Sequence, residues 1–260
     1  MKKCFIISNW KLNGDLVFLK KNINIIKKEF NFSLKFCDLA IAPPYVYLHT
    51  MYNYIKNTSI HLAAQNVDIH TQGAFTGEIS VSMLKDVGVK YVIIGHSERK
   101  LFHNENYDNI STKFVLIKNF NLIPILCIGE TEEEKKQNKT EKICVNQINY
   151  ILKTQGVEIL NNAIIAYEPI WAIGSGKVAD ANEVQKVHSF IRKYIASINQ
   201  KVATNIILQY GGSVNNNNIN NFLDKKDING FLIGKASLTT ENFISLVKKA
   251  EKKMSLLNRF

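Results

Sequence analysis

No stretch of the 260-residue chain approaches the roughly 18 consecutive apolar residues of a membrane span, so no membrane partner is expected. Cysteine is scarce. Cys4, Cys37, Cys127 and Cys144 lie far apart without a CxxC pair, which argues against a zinc site, a dithiol motif or a disulfide scaffold. Reduced thiols in a cytoplasmic protein are expected instead. The six histidines form no HExxH or comparable pair, and neither metal nor cofactor is expected. Arginine is rarer still, with only Arg99, Arg192 and Arg259. The formal charge of +11 therefore rests on lysines, scattered as pairs such as Lys20-Lys21, Lys135-Lys136 and Lys248-Lys249. A DNA reader concentrates its charge, favours Arg at base edges and carries a groove-entering motif, so no nucleic-acid partner is expected. No Pro/Gly/Ser-rich linker divides the chain, which reads as one domain over residues 1–260. Residues 1–8 imitate a signal peptide, but their apolar stretch is shorter than the roughly 7–15 residues of an h-region. Secretion is not expected, and the Asn-x-Ser/Thr triplets at Asn57, Asn109 and Asn138 carry no weight.

What the chain does contain is 46% hydrophobic residues, ample for a buried core. Short apolar runs recur at 4–8, 39–42, 61–64, 91–94, 123–128, 163–167, 206–210 and 230–233, a period of about 32 residues that suits one strand–helix unit. Several are apolar on successive residues, as strands buried on both faces should be. The intervals carry helix patterns: Leu16, Leu19, Ile23, Ile26 and Phe30 recur at spacings of three and four behind a capping Asp15. Thr131 with Glu134 has capping-box spacing, and Asp180 with Glu183 is its acidic analogue. Eight even βα units predict an α/β fold of the (β/α)₈ barrel type rather than an open doubly wound sheet.

Chemistry-capable residues follow the carboxyl ends of these runs: Asn9-Trp10-Lys11, Gln65-Asn66, Gly95-His96-Ser97-Glu98-Arg99, Gly129-Glu130, Glu168-Pro169, Gly211-Gly212-Ser213 and Gly234-Lys235-Ala236-Ser237. A barrel gathers all of these ends on one face, where its active site lies, and glycines after the last two strands can offer N–H groups to a phosphate. A carboxylate, a histidine, a lysine and a phosphate cradle suit proton transfer next to a carbonyl. Glu168 is the candidate base, because Pro169 restricts it to extended backbone; a strand-end ion pair is the other reading. His96 precedes a helix start at Ser97, where the helix N-terminus favours neutral imidazole. Glu98 reads as a structural partner of Arg99, with a catalytic role as the other reading. In the segment 171–179, Gly176-Lys177 echoes a phosphate loop, but Val178 stands where Ser or Thr is required. Glycines just after the candidate base suit a lid that excludes water.

These segments resemble the triosephosphate isomerase family over essentially the full chain. The resemblance rests on Asn9-Trp10-Lys11-Leu12-Asn13-Gly14, on 91–99 with His96 and Glu98, on 166–177 with Glu168 and Pro169, and on Tyr210-Gly211-Gly212-Ser213-Val214. It implies cofactor-free interconversion of dihydroxyacetone phosphate and D-glyceraldehyde 3-phosphate, a step of glycolysis and gluconeogenesis. The family is a standing example of pKa tuning by environment, and its mechanism is carried over rather than derived. Glu168 would move the carbon-bound proton, His96 would polarise the carbonyl, Lys11 would supply charge and Asn9 would position the substrate. Main-chain N–H groups of Gly174, Ser213, Gly234 and Lys235 would bind the phosphate. The stretch 65–78 is similar to the family's subunit-packing loop, so a homodimer is expected, with Phe75 buried by a second subunit and Thr76 near its Asn9 and Lys11. The alternative is that Phe75 folds back on its own barrel. Lys235 stands where the family often has a second glycine, and a positive φ there would strain it. Lys100 replaces a second arginine, and Ser175 a threonine. The rival readings are another phosphate-binding barrel enzyme, or a catalytically lapsed basic binding protein.

Overall fold

The computed structural model describes residues 3–30, 34–172 and 178–258. Strand β1 (Cys4–Asn9) leads to α1 (Leu16–Phe30), β2 (Cys37–Ala42), α2 (Leu48–Ile55), β3 (Ile60–Ala64), α3 (Val81–Asp86) and β4 (Val89–Ile94). Next come α4 (Ser97–Phe102), α5 (Tyr107–Asn119), β5 (Ile123–Ile128), α6 (Glu132–Lys136), α7 (Thr140–Gln155) and β6 (Ile164–Tyr167). The chain continues through α8 (Ala181–Ile198), α9 (Gln200–Asn205), β7 (Ile207–Tyr210), α10 (Ile219–Leu223), β8 (Gly230–Ile233) and α11 (Thr240–Leu257). The strands pair in parallel and in chain order, and β8 returns to β1, closing the expected barrel. Each strand starts within two residues of the apolar run that announced it.

The unbroken apolar runs feed two separate cores, because alternate strand residues point to opposite faces. In β4, Tyr91 and Ile93 turn inward to meet Ile7, Ile125 and Ile164 inside the barrel. Val92 and Ile94 turn outward into the larger layer between sheet and helices, with Leu19, Ile23, Phe114 and Ile148. Each fully buried aliphatic side chain contributes about 1.5–3 kcal/mol relative to exposure. Ala40, Ala42, Ala63 and Ala166 make room for the larger inward residues.

The helix starts are secured locally. The Asp15 carboxylate accepts the Phe18 N–H at 2.7 Å, and Thr131 forms a complete capping box with Glu134. Asp180 accepts N–H bonds from Asn182 and Glu183, while the Glu183 carboxylate turns to Lys135, leaving that box one-sided. Leu16 departs from the expected apolar stripe and is 48% exposed. It is the first residue of α1, one turn before the stripe faces the core, and Asn22 takes a buried place there by donating to the Phe18 carbonyl at 2.8 Å.

One buried titratable group ties α8 to the approach of β8. His188 donates Nδ1–H to the Asp227 carbonyl at 3.1 Å, which leaves Nε2 unprotonated. Burial lowers its pKa from 6.5 to about 4. Asp227 is further bound by Arg192 and Gln185. Above pH 6.5 the imidazole is neutral both folded and unfolded; as pH falls from 6.5 towards 4, only the unfolded chain takes the proton. The fold should therefore lose up to about 3 kcal/mol over that interval from His188 alone. Urea unfolding of wild type and His188→Gln at pH 7 and pH 4 should show the variant gaining on wild type by roughly that amount as pH falls. Parallel pH profiles would remove His188 as the cause.

Candidate active site

The carboxyl ends of the strands open into a cavity of about 790 Å³ lined by Asn9, Lys11, His96, Glu168, Ser213 and Gly234, among others. The barrel thus brings together candidates named from sequence on five different strand ends, those of β1, β4, β6, β7 and β8. At the end of β1, buried Asn9 accepts the Lys11 N–H through Oδ1 at 3.0 Å. Lys11 sits at φ 52°, in the left-handed region that costs a non-glycine residue about 1–2 kcal/mol. Gln65 holds it there: its amide donates to the carbonyls of Lys11 and Ala42, both at 2.9 Å. The ammonium of Lys11 is thereby aimed across the cavity to Glu98, 2.5 Å away.

That contact corrects the expected pairing of Glu98 with Arg99. Adjacent residues on a helix do not face each other. Glu98 turns to Lys11, whereas Arg99 turns away to Glu105 at 3.4 Å. His96 is the N-cap of α4, and its Nδ1 accepts the Glu98 N–H at 3.2 Å. An accepting Nδ1 carries no proton, so Nε2 is the donor, and it lies 3.5 Å from Glu168 Oε1. Both side chains are nearly excluded from solvent, at 6% and 4% exposure.

Glu168 is fixed by its N–H bond to the Ile128 carbonyl at 2.7 Å. A side chain at Gly211 would put Cβ 2.5 Å from Glu168 Cγ, so only glycine lets the carboxylate occupy its place. Oε2 of Glu168 is buried without a hydrogen-bond partner among the described residues. Behind it lies the Cys127 thiol, held protonated by burial and by the Glu168 charge. Among the described residues, no group of three or more His, Cys, Asp or Glu side chains is placed to hold a metal ion.

Several supporting residues escaped sequence reasoning. Glu130 was visible as a strand-end residue but without a role; fully buried, it accepts the Tyr167 hydroxyl at 3.0 Å and the Trp171 indole N–H at 2.9 Å. Gln147 reaches in from α7 to bond both the N–H and the carbonyl of Gly129. Of the expected phosphate donors, Ser213, Gly234 and Lys235 border the cavity, whereas Gly174 falls in 173–177, outside the described residues. Lys235 is not among the residues of positive φ, so the strain that a glycine position threatened does not arise.

The chain matches the family model described as triosephosphate isomerase over residues 4–250. It is 53% identical to the triosephosphate isomerase of Buchnera aphidicola subsp. Schizaphis graminum over 248 residues, 95% of this chain and 98% of that protein. It is 47% identical to the enzyme of the same name from Baumannia cicadellinicola over 250 residues, 96% of this chain and 98% of that one. With the Histophilus somni (strain 129Pt) protein of that name the identity is 49% over 251 residues, again 96% and 98%.

The loop that carries His96 rests on a buried charge cluster. Glu105 Oε2 accepts the Gly95 N–H at 3.2 Å while its other oxygen pairs with buried Lys113, which also donates to Asn66 at 2.9 Å. Removing one member of such a pair strands the other charge, at a cost of about 3–5 kcal/mol. Glu105→Gln should lower stability by roughly that amount, read by urea unfolding at pH 7, and Glu105→Gln with Lys113→Met should recover a substantial part. A double variant no more stable than the single one would show that the stranded charge is not the cause.

Proposed function

The chain belongs to the triosephosphate isomerase family, and from that premise we propose how it carries out the interconversion of triose phosphates. Glu168 removes a proton from the carbon next to the carbonyl of dihydroxyacetone phosphate and returns it to the neighbouring carbon, giving D-glyceraldehyde 3-phosphate. His96, neutral with its proton on Nε2, donates to the carbonyl oxygen and exchanges the oxygen protons of the enediolate. Lys11 supplies positive charge at that oxygen, and Asn9 positions both the substrate and the Lys11 turn. Main-chain N–H groups of Ser213, Gly234 and Lys235, with Gly174, take the phosphate. The observation that carries the reading is the 3.5 Å approach of a donor-state His96 Nε2 to Glu168 Oε1 in one water-poor pocket. A base and an electrophile so close can act on adjacent atoms of one small substrate. We read the whole chain, residues 1–260, as one catalytic domain.

A homodimer built through loop 65–78 belongs to the same proposal. Residues 71–78 are all exposed, and Phe75, although stacked on His70 of its own loop at 3.4 Å between ring centroids, is still 42% exposed. Leu12, Val46, Leu101 and Phe102, in the connections following β1, β2 and β4, expose 95%, 77%, 59% and 74% of their surface. With the 65–78 loop after β3, these connections follow four consecutive strands of the barrel, and a second subunit would cover such exposed apolar side chains. Among the described residues no helix is long and apolar enough to cross a membrane. Four free, buried thiols support a reducing, cytoplasmic location.

Two measurements test these proposals. Purified from a host without its own isomerase, wild type should interconvert the two triose phosphates, and Glu168→Ala should lose at least about 10²–10⁴-fold in kcat while keeping its fold. Full activity in the variant would overturn the assignment of the base, and a folded but inactive wild type would favour the lapsed binding protein. Sedimentation should find wild type dimeric, and Phe75→Glu should weaken the dimer at least about tenfold. A monomeric wild type would remove the proposed interface.

A further inference from the structure

Charge around the cavity is distributed unevenly. Among the described residues, the charged ones that line it are Lys11, Glu168 and Lys235. Lys11 is engaged at 2.5 Å by Glu98, whose carboxylate offsets its charge, and Glu168 leaves a further negative charge in the pocket. Without Lys235 the described residues of the site would therefore present a net negative charge to a substrate whose phosphate itself carries about −1.5 to −2 at neutral pH. Lys235 is exposed and forms no ion pair among the described residues. It follows directly on Gly234, against which the Lys11 side chain packs: a Cβ added there would meet Lys11 Cε at 3.1 Å.

The backbone at this point is firmly held. Ser237 Oγ donates to the carbonyls of Ile233 and Gly234, at 3.1 and 2.7 Å, and Asn242 donates to the Ala236 carbonyl at 3.0 Å. Asn242 is in turn bound by Asn216, which accepts from Ser245 at 2.8 Å. The stem of Lys235 thus rises from a fixed base at the rim of the cavity, on a residue that is exposed to solvent.

We propose that the Lys235 side chain is a capture cation for the substrate phosphate. It compensates the Glu98 and Glu168 carboxylates and makes the mouth of the site attractive to dianionic trioses. This is a role distinct from the main-chain N–H of the same residue, and it rests on the functional reading above. A rim charge of this kind acts on encounter and affinity, and its effect is screened by salt; it does not act on the chemical step.

The test compares wild type, Lys235→Gln and Lys235→Arg with D-glyceraldehyde 3-phosphate and with neutral, unphosphorylated D-glyceraldehyde. Both substitutions keep the main-chain donor. At an ionic strength of about 20 mM, Lys235→Gln should lose roughly three- to tenfold in kcat/KM for the phosphorylated substrate, with kcat little changed. The gap should narrow towards about 300 mM salt, where the Debye length falls to roughly 6 Å. Inorganic phosphate should inhibit the Gln variant more weakly by a similar factor, and Lys235→Arg should restore wild-type behaviour. Equal losses with both substrates would assign Lys235 a merely structural role, and an unchanged salt dependence would overturn the capture role; either result leaves the isomerase reading standing. An inactive wild type would bring down both together.

Discussion

The seam between β1 and β8 is the contact on which the rest of this molecule depends. It joins the beginning of the chain to its end in a parallel ladder, with Phe5 opposite Gly230 and Ser8 opposite Ile233. Nothing wider than glycine fits at its start, since a Cβ at residue 230 would lie 1.9 Å from the Phe5 carbonyl oxygen. Gln209 reaches across from β7 to the same oxygen at 3.0 Å. An open sheet of these strands would leave two unpaired edges and hold Asn9 and Lys11 far from Gly234 and Lys235. Closure abolishes the edges and turns residues more than 220 positions apart into neighbours around one cavity.

Around that cavity, polar groups are committed to one another in a fixed order. Gln65 pins the left-handed Lys11, Lys11 meets Glu98, the Glu98 N–H sets the tautomer of His96, and His96 points its remaining donor at Glu168. The sequence of bonds stops at Glu168, whose Oε2 is buried with no hydrogen-bond partner among the described residues. A site arranged in this way meets a developing charge with dipoles already oriented, so little reorganisation remains for the moment of reaction. The supports lie one layer further out. Glu105 and Lys113 hold the Gly95 turn, Gln147 holds Gly129, and Glu130 joins Tyr167 to Trp171. These groups are buried and paired, which makes the turns stiff without placing further charges near the substrate.

How legible each feature was in the sequence follows from how local its cause is. The Asp15 and Thr131 caps are read correctly because the accepting cap and its N–H donor lie within three residues of each other. Strand positions are equally legible, since a strand buried on both faces needs an apolar residue at nearly every place. Glu98 was assigned the wrong partner because Arg99 is adjacent in sequence, whereas the true partner, Lys11, is 87 residues away. The Glu105–Lys113 pair gave no signal at all: a charged residue reads as solvated surface until the fold encloses it. The family resemblance supplied the roles of Asn9, Lys11, His96 and Glu168, which residue types alone left open.

The alternation of strand and helix, the places where each begins, and the family to which the chain belongs follow from the order of amino acids alone. All three are written in residues close together along the chain, as apolar period, capping chemistry and contiguous motifs. Which charges meet, which imidazole nitrogen carries the proton, and the place of Lys235 at the cavity mouth, with an ordinary backbone and no ion-pair partner among the described residues, follow only once the barrel has closed. Those outcomes depend on distances between groups on different strands, and barrel closure is what sets such distances.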